Sequence, residues 1–290
     1  MNKSFLKSII ILSLFSFISC QDAPTFDYDP QYVVEGYLKV GDPINNIKLM
    51  VSQSVTDTFK YKNSAVSDAE VVIYVENKPI KLNYRENQDV GEYFYNDTTL
   101  KVTSGVTYKL EIKTKSGKII TSQTTAPNSI NWVKAPFEEY QFPKDTINLP
   151  APDSFAIEWT RPTDIKEMII EGKCLDTLNY GKYLPNSTNE LNRRITTKFN
   201  DTRFEYDYSR WGFINTNKSP LSWYIFKWYG KYELKIIACD NNIINWLKQT
   251  QWSGQNPESQ PTLSNIKGGL GVFGSMYVLS KECFVKKNQP

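Results

Sequence analysis

Thr107-Tyr108-Lys109-Leu110-Glu111-Ile112, then Lys115-Ser116-Gly117, then Lys118-Ile119-Ile120-Thr121-Ser122 is the stretch that decides the fold class. Two runs that alternate polar and apolar residues flank a glycine-bearing turn, the signature of an antiparallel hairpin with one face buried. Working outward, the same grammar recurs. Tyr32–Val40 precedes a Gly41-Asp42-Pro43 turn, and Ile47–Val51 alternates after it. Glu70–Val75 runs into Asn77-Lys78-Pro79, and Gly91–Tyr95 supplies another short run. Six or seven short strands separated by turns predict a β-sandwich of immunoglobulin-like or transthyretin-like type over residues 31–126.

A boundary falls at Thr125-Ala126-Pro127, and Pro136, Pro143, Pro150 and Pro152 exclude a long helix from the segment that follows. Beyond it, Ser154–Trp159, Glu167–Glu171, Phe204–Tyr208 and Tyr232–Cys239 read as strands. One helix is predicted. Asp240 or Asn241 can cap it, Ile243, Ile244 and Leu247 share a face, and Ser253-Gly254 ends it. The expected fold is mostly β, with two β-sandwich-like domains and one short helix in the C-terminal half. Residues 127–290 form the second, β-rich domain.

The N-terminus carries an address. Lys3 and Lys7 precede an apolar run over residues 8–18, which ends in Ser19-Cys20. That order is the order of a secretory signal, and the run is too short for a hydrocarbon core that needs about 20 residues. Phe17-Ile18-Ser19-Cys20 resembles a relaxed bacterial lipobox, so residues 1–19 read as a lipoprotein signal peptide and Cys20 as the lipidated residue. Ordinary secretion, with Cys20 an unmodified thiol, is the alternative. Residues 20–30, polar and proline-bounded, form a tether. Among the 34 basic residues Lys3 and Lys7 belong to the leader, so the remainder nearly balances 31 acidic ones. That balance gives no electrostatic reason to expect nucleic acid. Membrane attachment falls to the N-terminal lipid.

The chain contains no histidine. Ser-His-Asp and Cys-His nucleophiles, His-ligated zinc and imidazole acid–base chemistry are excluded together. Cys174, Cys239 and Cys283 remain after Cys20. Cys239–Cys283 is the disulfide candidate, since it closes the shortest loop between two predicted strands; three buried thiols are the other reading.

Gly269-Leu270-Gly271-Val272-Phe273-Gly274 spells a dinucleotide-binding pattern, but its context is wrong. No strong strand precedes it, Ser275–Val285 reads as a strand, and only 16 residues follow. These glycines are expected to let the last strand pass close to neighbouring backbone. The carboxylates Asp164, Glu167, Glu171 and Asp176 are scattered and expected on the solvated surface. No metal loop or phosphate loop is spelled, and no cofactor is expected. Aromatics crowd between Phe204 and Tyr232, and suit either a core or a platform that stacks on a glycan or peptide. Alternation places Tyr224, Phe226 and Trp228 on one face and Trp223 on the other, expected exposed. Trp211 and Tyr229 sit beside Gly212 and Gly230 as turn residues. Trp211, Trp223 and Tyr229 are therefore the ligand-binding candidates.

Ser264–Gly274 also resembles the C-terminal signature of the "domain of unknown function 4249" lipoproteins of Bacteroidota. Tyr32–Tyr37, Val66–Val71 and the Tyr108–Ile120 hairpin are similar to other parts of that family, whereas residues 175–225 depart from its cysteine and glycine pattern. The resemblance implies an outer-membrane lipoprotein, often encoded beside a TonB-dependent transporter, and no catalytic residues. Asp22, Asp27 and Asp29 resemble an export signal toward the outer surface, so a surface-facing position is favoured over a periplasmic one. Asp97-Thr98, Asp145-Thr146 and Asp176-Thr177 resemble O-glycosylation sites of the same bacteria. The expected function is a non-catalytic binding or accessory partner of a TonB-dependent transporter in nutrient uptake. A carboxylate-dependent glycan or peptide hydrolase and a structural envelope protein are the alternatives.

Overall fold

The computed structural model describes residues 28–54, 58, 60–86, 91–143, 153–175, 208–221, 223, 226, 228–252 and 264–286. In chain order the strands begin with β1 (Tyr32–Lys39), β2 (Ile47–Val51), β3 (Glu70–Val75), β4 (Lys78–Lys81), β5 (Asn83–Arg85) and β6 (Glu92–Phe94). They continue with β7 (Thr107–Lys113), β8 (Ile119–Thr125), β9 (Trp132–Lys134), β10 (Glu139–Gln141) and β11 (Ile157–Trp159). The last are β12 (Met168–Cys174), β13 (Tyr208–Ile214), β14 (Lys218–Ser219), β15 (Gly230–Cys239) and β16 (Leu270–Lys286). Among the described residues the helices are a single turn, α1 (Tyr61–Ser64), a 3-10 turn at Asp153–Phe155, and α2 (Asn241–Trp252).

The predicted hairpin is β7–β8, with Ile112 opposite Ile120 and Leu110 opposite Ser122. Its turn is closed by Gly117 N–H donating to Thr114 O at 2.9 Å and Thr114 N–H to Lys118 O at 3.0 Å. Gly117 takes φ +85°, which a side chain would resist. Strict alternation buries Tyr108, Leu110 and Ile112 and exposes Lys109 and Glu111. Strands β4-β3-β7-β8 form one sheet. Its inner face packs through Val71, Ile73 and Leu110 against Val34, Leu38, Ile47 and Leu49 of the opposing sheet. That is the expected sandwich.

The opposing sheet runs β13-β12-β15-β16-β1-β2-β6-β5, with β10 also paired to β16. Strand β16 organises it. Its first residues pair in parallel with β1, Val34 beside Gly271 and Leu38 beside Ser275. Its later residues pair with β15, Cys239 opposite Met276 and Tyr232 opposite Cys283. Strand β16 crosses the expected boundary at residues 126 and 127, pairing with strands on both sides of it. The C-terminal strand completes the N-terminal sandwich, so one sheet serves both halves.

The glycines before and within β16 make the parallel pairing possible. A Cβ at Gly271 would lie 2.0 Å from Val34 O, and its φ is +109°. A Cβ at Gly274 would lie 2.4 Å from the Ile243 side chain. Close backbone approach, as expected, is what these glycines provide.

On one face of the C-terminal half, the β14-β11-β9 sheet covers the large sheet through Ile157, Trp159, Met168, Ile170 and Ile236. On the other face α2 packs Ile243 and Ile244 onto Ile169, Cys239 and Val272. The helix begins where predicted. Asp240 Oδ1 accepts from Ile243 N–H at 3.0 Å, an N-cap that satisfies a donor the helix itself leaves open.

Candidate functional site

Aromatic residues do not build the site expected of them. Trp223 is 1% exposed and Tyr229 4% exposed. Both lie in a cluster with Tyr140, Phe142, Phe226 and Tyr232. Trp223 meets Phe142 edge-on at 5.3 Å and Tyr140 at 6.2 Å and lies 5.9 Å from Phe226, so Trp223 and Phe226 share one side of the core. Alternation assigns Phe226 to the core correctly but misplaces Trp223, because Phe226 N–H donates to Trp223 O at 3.1 Å, a turn-type bond that brings both rings into the same core. Trp211 lies inside β13, not in a turn, where the pairing with β12 shifts register. The three candidates therefore form no exposed platform with Trp223 and Tyr229 in it.

The cysteine pairing is also corrected. Cys174, Cys239 and Cys283 are all buried thiols, and none forms a disulfide. Cys239 and Cys283 sit seven positions apart along the β15–β16 ladder. At about 3.3 Å per residue that is roughly 23 Å, far beyond the ~7 Å limit between bridged Cα atoms. Burial pushes the Cys283 thiol up to about 12.

What the fold does assemble is a polar groove of about 870 Å³ over the outer face of the β4-β3-β7-β8 sheet. Its floor is Tyr74, Lys109, Glu111 and Gln123, the outward residues of β3, β7 and β8. Tyr74 O–H donates to Glu111 at 3.5 Å. The wall is the start of α2, with Asn241 and Asn242, joined by Asn265, Lys267 and Asp164.

Behind the wall a buried polar cluster fixes the groove's shape. Thr124 O–H donates to Asp240 Oδ2 at 2.5 Å, and Thr124 also contacts the Ser275 hydroxyl at 2.6 Å. Asn242 donates to Asp240 Oδ2 at 3.0 Å and to Gln123 O at 3.1 Å. Burial raises the Asp240 carboxyl above its ordinary value against the lowering effect of these bonds. Asn265 completes the edge of β16: its amide donates to Phe273 O at 2.7 Å while its oxygen accepts Phe273 N–H at 3.0 Å. That side chain stands in for a missing neighbouring strand. With Ser122 O–H donating to Asn265 O at 2.9 Å, it bolts β8 to β16.

Chemically the groove offers amide donors and acceptors, both signs of charge and one phenol ring. Such a lining suits a polar ligand or a polar protein surface. Asp240 is committed to the Ile243, Thr124 and Asn242 bonds, a structural task. The other sequence-singled carboxylates divide. Asp164 lines the groove, Glu167 pairs with Lys248, and Glu171 is buried beside Lys235, not solvated as expected. Asp176 lies outside the described residues, as do Cys20 and the residues before Tyr28. Of the three Asp-Thr pairs, Asp97-Thr98 is exposed, with Asp97 accepting from Thr99 N–H at 2.9 Å; the other two lie outside the described residues.

The family model described as a domain of unknown function, DUF4249, matches residues 21–282. The chain belongs to the DUF4249 family. The match covers the wall and floor of the groove and the whole β1–β16 pairing. No curated protein matches the chain. Among the described residues no helix is long and apolar enough to cross a membrane.

Proposed function

We propose that this DUF4249 protein is a non-catalytic outer-membrane lipoprotein, facing the cell surface. It assists a TonB-dependent transporter in nutrient uptake and uses the polar groove to hold a glycan or peptide ligand or the transporter itself. The address comes from the lipobox-like Phe17-Ile18-Ser19-Cys20 and the tether behind it. The observation that carries the binding role is the groove: Tyr74, Lys109, Glu111 and Asn242 converge on one concave surface from elements far apart in sequence. Hydrogen-bonding side chains around a ring suit hydroxyl-rich or amide-rich partners better than an apolar molecule.

The test is co-purification from native membranes in mild detergent. The expected result is a β-barrel transporter recovered with the protein, and less of it with Tyr74→Ala plus Lys109→Ala. Those residues sit on the outward face of their strands, so the sandwich should survive their loss. Turnover of a polysaccharide or peptide panel, abolished by one substitution at Glu111 or Asp164, would overturn this reading in favour of a hydrolase.

A further inference from the structure

One end of the sandwich gathers features that the groove does not use. Strand β1 begins there at Tyr32, β2 ends there at Val51, and the β7–β8 turn closes there. Among the described residues eight large hydrophobic side chains are exposed, and Tyr28, Tyr61, Ile119 and Leu270 all belong to this end. Lys60, Lys62, Lys115 and Lys118 are exposed around them.

Hydrogen bonds and ring contacts tie these into one surface. Tyr28 O–H donates to Ser52, whose N–H donates to Gln31 O at 2.8 Å. Gln53 and Lys60 exchange side-chain and backbone bonds of 2.9 and 3.2 Å. The Lys118 ammonium lies 5.4 Å from the Tyr32 ring centre, and the Tyr32 and Ser116 hydroxyls are 3.5 Å apart. Paired backbone bonds of 2.9 and 3.0 Å between Lys267 and Thr121 hold the chain before β16 against β8, and Leu270 pairs with Val33 of β1. The acids at this end include Asp29, Asp68 and Glu70; Asp68 faces Lys115 at 3.7 Å and Glu70 pairs with Lys81 at 2.9 Å.

We infer that this end is a docking surface for the phosphate-bearing headgroups of the membrane that holds the protein. The inference rests on the lipid-anchor reading. Tyr28 lies eight residues from Cys20, and eight residues fully extended span at most about 29 Å. An anchor at Cys20 therefore keeps this end, where β1 begins, within reach of the headgroups. Lysines near an anionic surface and amphipathic rings at headgroup depth are the groups such an interface takes.

The experiment uses the lipidated protein in vesicles, with an environment-sensitive fluorophore on Ser116→Cys; Cys174, Cys239 and Cys283 are buried from the label. On phosphatidylglycerol vesicles the emission should shift to the blue relative to phosphatidylcholine. Lys60→Glu plus Lys118→Glu should lower the shifted population about tenfold or more, and 0.5 M salt, roughly, should abolish the difference. The same label on Leu100→Cys, at the far end, should not respond. Equal emission on both vesicle types, in protein that floats with the vesicles, overturns the docking surface alone. An equal response at Leu100 also overturns it. Protein that does not float lacks the anchor, and both readings fall together.

Discussion

Asp240 shows how much one residue can say from sequence and how much it cannot. Its place before an apolar i, i+1, i+4 set marks it as a helix cap, and the cap forms. Its bond to Thr124, 116 residues away, has no local signature. Because its folded-state pKa is raised by burial, its proton is held more tightly in the folded than in the unfolded chain. The contribution this residue makes to stability is thus full at pH below its ordinary value of 3.8 and is lost as pH rises through the raised value. Asp240→Ala should cost about 2 kcal/mol or more, from the lost cap and the orphaned Thr124 and Asn242. Asp240→Asn keeps a cap but not the titration. Its penalty, read by denaturant unfolding, should be smaller at neutral pH than near pH 4. An equal penalty at both would contradict a buried, titrating carboxylate. Trp223 teaches the reverse lesson: period-2 alternation assigns faces only where the chain is extended, and the bond from Phe226 N–H to Trp223 O makes a turn that buries both rings against Tyr140.

At the scale of elements, the hairpin β7–β8 and helix α2 were legible because each is specified by adjacent residues. A glycine turn, strict alternation and a capped apolar stripe need no distant partner. The role of β16 was half legible. Its glycines announce close approach, yet the partner they approach, β1, lies more than 230 residues earlier and leaves no mark of its own. A pair of substitutions separates tight packing from mere turn preference. Gly271→Ala combines φ +109° with a Cβ 2.0 Å from Val34 O, and should destabilise by about 3 kcal/mol or more or prevent folding. Gly117→Ala has φ +85° but nothing within 4 Å, and should cost only about 1 kcal/mol. Similar melting temperatures for the two variants would contradict a β1–β16 contact that admits only glycine.

For the whole molecule, the two halves share a sheet, and the groove exists because they do. Tyr74 and Glu111 come from the N-terminal sandwich, Asn242 and Asn265 from the far end of the chain, and no stretch of sequence spells their meeting. The proposed address, by contrast, rests on 14 consecutive residues from Lys7 to Cys20. Groove and docking end acquire their proposed roles only if that address is obeyed. The decisive measurement is therefore the mass of the N-terminal peptide of the protein taken from its native membrane. A peptide that begins at Cys20 and carries acyl chains on it is the predicted result. A peptide that begins elsewhere, or a Cys20 without any acyl group, would contradict the account.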